Sequence, residues 1–155
     1  MDNLRVIATW LLFSCIALQG WCQCQSLRAD IKAAQTLVKS GETFRVGTAI
    51  RNAGTTEQTI IVFTCTWSDQ WIVDNPAVDV NSNNCLSNVQ EKIKLKPGEA
   101  YENSLMVHIG PATDQSVRRE MTFRLGFDTT GYFGTRKPDQ KVIWSNPVTV
   151  TVISD

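Results

Sequence analysis

Apolar and polar residues alternate one by one along much of this chain, the period of a β-strand and not of a helix. Leu27, Ala29 and Ile31 alternate with Arg28, Asp30 and Lys32. Phe44, Val46, Thr48 and Ile50 alternate with Arg45, Gly47, Ala49 and Arg51, a second strand that ends at Asn52-Ala53-Gly54. Between them, Lys39-Ser40-Gly41-Glu42 is a turn whose glycine accepts positive φ. Gln58 to Thr66 is rich in β-branched residues, and Ile60 to Phe63 is apolar on both faces. That pattern predicts a third strand, central and covered on both sides. Ser68 to Asn88 then reads as a long irregular connection.

Strands resume with Val89, Ile93 and Leu95 facing one way and Gln90, Lys92, Lys94 and Lys96 the other. After the tight turn at Pro97-Gly98, Tyr101, Leu105, Val107 and Ile109 alternate with Glu102, Ser104, Met106 and His108. Gly110 to Arg119 is expected as a loop. Met121, Phe123, Leu125 and Phe127 form one further strand, and Gly131 to Pro138 another loop. Val142, Trp144, Val148, Val150 and Val152 form the last strand, with Asn146-Pro147 implying an edge position or a bulge. No amphipathic helix and no internal repeat is evident. The expected fold is all-β: an antiparallel immunoglobulin-like β-sandwich of about seven strands.

The first residues read differently. Arg5 precedes an apolar run from Val6 to Leu18. At about thirteen residues it is short for a membrane span and right for the core of a secretory signal. A signal peptide over 1–24 leaves one domain over 25–155, secreted or periplasmic, with no stable membrane span after cleavage. Cutting after Cys24 also leaves Cys65 and Cys85 as an even pair in an oxidising compartment. The bridge between them would close a loop of roughly twenty residues, worth about 3 kcal/mol in the chain-entropy model. Lipid attachment at Cys22 or Cys24 is the competing idea. It is disfavoured because Trp21 and Gln23 precede these cysteines where a small residue is usual.

Two stretches carry a resemblance. Val38-Lys39-Ser40-Gly41-Glu42, with the strand ending Ile50-Arg51-Asn52-Ala53-Gly54, resembles the opening of bacterial extracytoplasmic immunoglobulin-like modules. These are the CARDB adhesion modules and the BsuPI-type proteinase-inhibitor domains. Leu95-Lys96-Pro97-Gly98-Glu99, followed by Tyr101, is similar to a later turn in those families. The segment from Cys65 to Cys85 has no counterpart there. The resemblance implies the sandwich fold and a binding role.

Composition narrows the function further. The chain has 43% hydrophobic and 19% charged residues with a formal net charge of zero, which argues against a dedicated nucleic-acid binder. The single histidine, His108, has no activated serine motif beside it, so catalytic residues, metal and cofactor are all set at none. Asp79, Asn81 and Asn83 copy the start of a calcium loop, but Asn84 and Gln90 stand where that loop needs Gly and Glu. The lysines at 92, 94 and 96 read as protection of a strand edge. Loop aromatics and acids remain as recognition candidates: Trp71 with Asp69 and Asp74, and a second tip at Tyr132 and Phe133. Trp67 is expected in the core. The expected function is a non-catalytic module that binds protein or glycan through loops at one end of the sandwich. Inhibition of a secreted protease and assembly through an edge strand are the alternatives.

Overall fold

The computed structural model describes residues 26–82, 85, 87–111, 118–130 and 141–154. The signal segment, Asn83, Tyr132 and Phe133 lie outside them. Twelve strands are present: β1 Leu27–Ala33, β2 Leu37–Lys39, β3 Thr43–Asn52, β4 Gln58–Phe63, β5 Trp71–Val73, β6 Val78–Val80, β7 Gln90–Leu95, β8 Ala100–Ile109, β9 Arg118–Phe123, β10 Leu125–Asp128, β11 Val142–Trp144 and β12 Val148–Ile153. A 3-10 turn, Trp67–Gln70, precedes β5. Among the described residues there is no α-helix. The sheets run β1-β3-β8-β6, β11-β10-β5, β2-β12-β9 and β4-β7. All strand pairs are antiparallel except β2 with β12. One core joins the sheets, with Phe44, Ile50, Val107, Phe123 and Phe127 all buried in it.

The turns behind the family resemblance have a common chemistry. Gly41 and Gly98 sit at φ +80° and +83°, where a side chain would be strained. In the first turn, Glu42 N–H bonds the Lys39 carbonyl at 3.0 Å and its carboxylate accepts from Lys39 N–H at 2.7 Å. In the second, Glu99 N–H bonds the Lys96 carbonyl at 3.0 Å and its carboxylate accepts from Lys96 N–H at 2.8 Å. The Lys39 N–H, aided by the Gln35 amide, holds the Glu42 carboxyl below its usual range. Lys-x-Gly-Glu is thus a self-capping turn.

The seven expected strands become twelve for identifiable reasons. The Ser68–Asn88 connection, expected to be irregular, carries β5 and β6. The stretch Met121 to Asp128 is two strands broken at Arg124, and the expected loop before it gives way to β9 at Arg118. The last strand breaks likewise. Between the Phe123–Val148 and Gly126–Trp144 rungs, two residues of one chain face three of the other. That extra residue is a β-bulge, and it reverses the side-chain alternation. Val150 and Val152 face the core, but before them Ile143, and Ser145 at the start of the bulge, do so in place of Val142 and Trp144. Trp144 stays 37% exposed, beneath the Arg124 guanidinium at 5.3 Å from its ring. Of the two readings of Asn146-Pro147, the bulge is the one observed; β12 is not an edge strand, having β2 on one side and β9 on the other.

Bulge side chains are put to use. Ser145 Oγ accepts from Leu125 N–H at 3.1 Å, and Asn146 both accepts from Ile31 N–H at 2.9 Å and donates to the Ile31 carbonyl at 3.1 Å. One amide therefore stands in for a strand on the free side of β1. The same device corrects the reading of β4. It is not central: among the described residues it pairs only with β7. Its other edge is closed by Gln70, whose Oε1 accepts from Phe63 N–H at 3.0 Å and whose Nε2 donates to the Ile61 carbonyl at 2.9 Å. Val89, expected to face inward with Ile93 and Leu95, precedes β7 and is 54% exposed.

Candidate functional site

The disulfide Cys65–Cys85 is formed, with Cα atoms 5.9 Å apart and a sequence separation of 20. It ties the exit of β4 to the chain that follows β6. Just after Cys65 the 3-10 turn drops Trp67 into the core. Its ring meets Trp71 at 5.5 Å, Tyr101 at 5.1 Å and Phe127 at 5.1 Å. Edge-on and tilted contacts of this kind add to area burial. Asn88 Nδ2 bonds Thr66 Oγ1 at 2.7 Å, and Asp69 accepts from the Ser82 hydroxyl at 2.5 Å. The bridged segment is thereby fastened by side chains as well as by sulfur.

Beside this corner lies a cleft of about 160 Å³. One wall is Thr64, Cys65, Trp67 and Ser68; the other is Asn81 and residues 103–106 of β8. Space of that size would hold roughly five waters, well below a drug-sized pocket. Among the described residues the lining carries no charged side chain. Hydroxyls from Thr64, Ser68 and Ser104 and amides from Asn81 and Asn103 offer donors and acceptors in both senses. Trp67 is 4% exposed, and its indole N–H has no partner among the described residues. Met106 adds an exposed apolar chain at the rim, 42% accessible.

The expected recognition residues fare unevenly. Trp71 is corrected from loop anchor to core: it lies in β5, 4% exposed, with its ring 5.3 Å from Phe127. The physical reason is that β5 pairs with β10, which sets Trp71 opposite Phe127 on the inward face. Asp69 is exposed on the 3-10 turn but does not line the cleft. Asp74 is a fold contact. It accepts from Arg124 N–H at 2.7 Å and Arg124 Nε at 2.8 Å, and so pins the break between β9 and β10. Asp79 sits in β6 opposite His108, and His108 Nδ1 lies 3.3 Å from Thr43 Oγ1 on the other side.

Burial pulls the Asp74 carboxyl upward, but hydrogen bonds from the Arg124 backbone and side chain, with its charge, outweigh this and hold it below the usual range. A depressed folded value contributes stability above the unfolded pKa of about 3.9, and that contribution is lost as pH falls through the folded value. Asp74→Asn is therefore expected to lower the urea midpoint at pH 7. The two proteins should converge in strong acid. A deficit independent of pH would refute the ionic origin.

The cleft residues of β8 were missed by the sequence reading, although a signal existed. Asn103 occupies a position that the Tyr101, Leu105, Val107 alternation assigns inward, and a polar residue there marks a place where the core stops. The exposed run Glu102, Asn103, Ser104 in the middle of a ten-residue strand agrees with this. No protein-family model matches the chain, and no curated protein matches it in sequence.

Proposed function

We propose that this chain is an extracytoplasmic, non-catalytic binding module of immunoglobulin-like sandwich type, which takes a protein or glycan ligand at its disulfide corner. The strand order supports the sandwich reading. The sheet β1-β3-β8-β6 follows the A-B-E-D order of such folds. In this scheme β5 corresponds to C, β9 with β10 to F, and β11 with β12 to G. The parallel β2–β12 pair adds a short strand beside G, and β4 with β7 is an insertion on either side of C and D. The disulfide supports an oxidising compartment, and no helix of the described residues is long and apolar enough to cross a membrane.

The observation that carries the binding reading is the uncharged polar cleft against the bridge, into whose wall the buried Trp67 is set. A recess of about 160 Å³ with several hydrogen-bonding groups is a recognition feature, since it can select a small ligand group. The test is capture from the source cell's envelope and medium with two oxidised baits of equal melting temperature, the parent and Met106→Arg. A partner held by the parent and lost with Met106→Arg is the expected result. Equal capture by both baits, or none by the parent, overturns the reading.

A further inference from the structure

The lysines of β7 sit on an uncapped strand edge. Gln70 takes the Phe63 N–H and the Ile61 carbonyl, so odd-numbered residues of β4 turn their backbone groups away from β7. The even-numbered ones bond it, and the Thr64 N–H on the Val89 carbonyl at 3.0 Å continues that ladder. Gln58, Ile60 and Val62 stand opposite Leu95, Ile93 and Glu91. The backbone groups of Gln90, Lys92 and Lys94 therefore point to the outer side of β7. At Lys96 that side is closed by its own turn. The Glu99 carboxylate accepts from the Lys96 N–H at 2.8 Å, and the Glu99 N–H donates to the Lys96 carbonyl at 3.0 Å. From Gln90 to Lys94 the outer side has no partner strand and no side-chain cap among the described residues. Gln90, Glu91 and Lys92 are all exposed, so both faces of the strand meet solvent there.

The side chains on this edge choose its occupant. Lys92 and Lys94 project to the solvent face, whereas Ile93 lies opposite the buried Ile60 on the inner face and is itself half-buried. Lys94 is 3.5 Å from Glu57, with both side chains exposed, and Lys92 has no ion pair among the described residues. A second copy of this edge does not fit. Registers in which the Lys92–Lys94 stretches of two copies overlap set lysine opposite lysine, which is destabilising. A strand with carboxylates two residues apart meets both lysines, and an apolar residue between those carboxylates extends the Ile60–Ile93 row.

We propose that the outer edge of β7 at Gln90–Lys94 takes an extended acidic segment of a partner protein as a third strand of the β4–β7 sheet. Backbone bonds to Lys92 and Lys94 supply affinity, and the lysine side chains select alternating acidic residues. None of these residues lines the cleft, so this surface is independent of the binding reading given above.

The probe is a short capped peptide of alternating glutamate and valine, titrated into the oxidised protein at low salt, with amide hydrogen exchange followed by NMR. In the free protein the Lys92 and Lys94 amides should exchange about tenfold or more faster than that of Ile93, which is bonded to β4. Bound peptide should slow both lysine amides. The doubly reversed variant Lys92→Glu with Lys94→Glu changes only exposed side chains, so it should melt with the parent. It should bind the glutamate peptide about tenfold or more weakly and prefer a peptide with lysine in place of glutamate. Lysine amides as protected as Ile93 in the free protein would show that the edge is covered and overturn the inference. No binding at millimolar peptide, or equal affinity of the parent and the reversed variant, overturns it too. Binding kept by the reversed variant and lost with Met106→Arg would move the peptide to the cleft and sink strand addition at β7.

Discussion

Trp71→Ala is expected to cost about 3–5 kcal/mol of folding stability, the range for emptying a large aromatic from a core. Trp71 is 4% exposed and packs on Trp67 at 5.5 Å and Phe127 at 5.3 Å. Removing it opens space between the 3-10 turn and β10, and the pairing of β5 with β10 limits how far the strand can move to fill it. Against a typical total of about 5–15 kcal/mol, such a loss leaves a marginal domain. Equilibrium urea unfolding measures it directly. Trp71→Phe should cost less than half as much. Phenylalanine keeps much of the ring contact and discards an indole N–H that has no partner among the described residues. A cost below about 1 kcal/mol for Trp71→Ala would mean that the ring is not in the core and would restore it as a surface anchor.

The second large effect is at Gln70, which is 3% exposed. Gln70→Leu keeps the volume but removes the acceptor for Phe63 N–H and the donor to the Ile61 carbonyl. Stripping a partner from a buried polar group costs about 1–3 kcal/mol, so roughly 2–4 kcal/mol is expected here. Thermal or urea unfolding reads the loss. Gln70→Glu gives a sharper test. The protonated acid can still donate to the Ile61 carbonyl, whereas the ionised form cannot and is buried beside it. A folded carboxyl whose pKa is raised loses stability as pH rises. The deficit of Gln70→Glu should therefore grow from acid to neutral pH. A deficit that is flat with pH, or a Gln70→Leu cost under about 0.5 kcal/mol, would show that water reaches the β4 edge.

Reading the alternation succeeded wherever one strand face meets the core without interruption. β1, β3 and the second half of β8 lie where Leu27 to Ile31, Phe44 to Ile50 and Leu105 to Ile109 place them, with the expected residues buried apart from a half-buried Leu27. The disulfide pairing followed from cysteine count and compartment, and its formation agrees. The reading failed where a single residue changes the register. From Val148 on the alternation is sound, but upstream of the bulge at residues 145–147 it is inverted; Asn146-Pro147 signals a bulge as one of two options, yet the period alone does not say which side of it keeps the expected face. Gly126 is a partial clue. A Cβ there would meet Val142 Cγ1 at 2.5 Å and Trp144 Cε3 at 3.0 Å, so glycine lets both side chains pack across β10.

What the chain's own pattern determined is local: strand character, the two Lys-x-Gly-Glu turns, one bridge and the inward face of each unbroken strand. Those properties depend on period-two burial and on φ at single residues, which neighbours in sequence control. What only the tertiary structure decided is which strand edges are closed and by which residues. Gln70 closes β4 from seven and nine residues away, and Asn146 closes β1 from 115 residues away. Asparagine and glutamine look alike in sequence whether they cap a buried edge or face water. The difference is set by which backbone groups the fold leaves without a partner, and that is known only once the strands are placed.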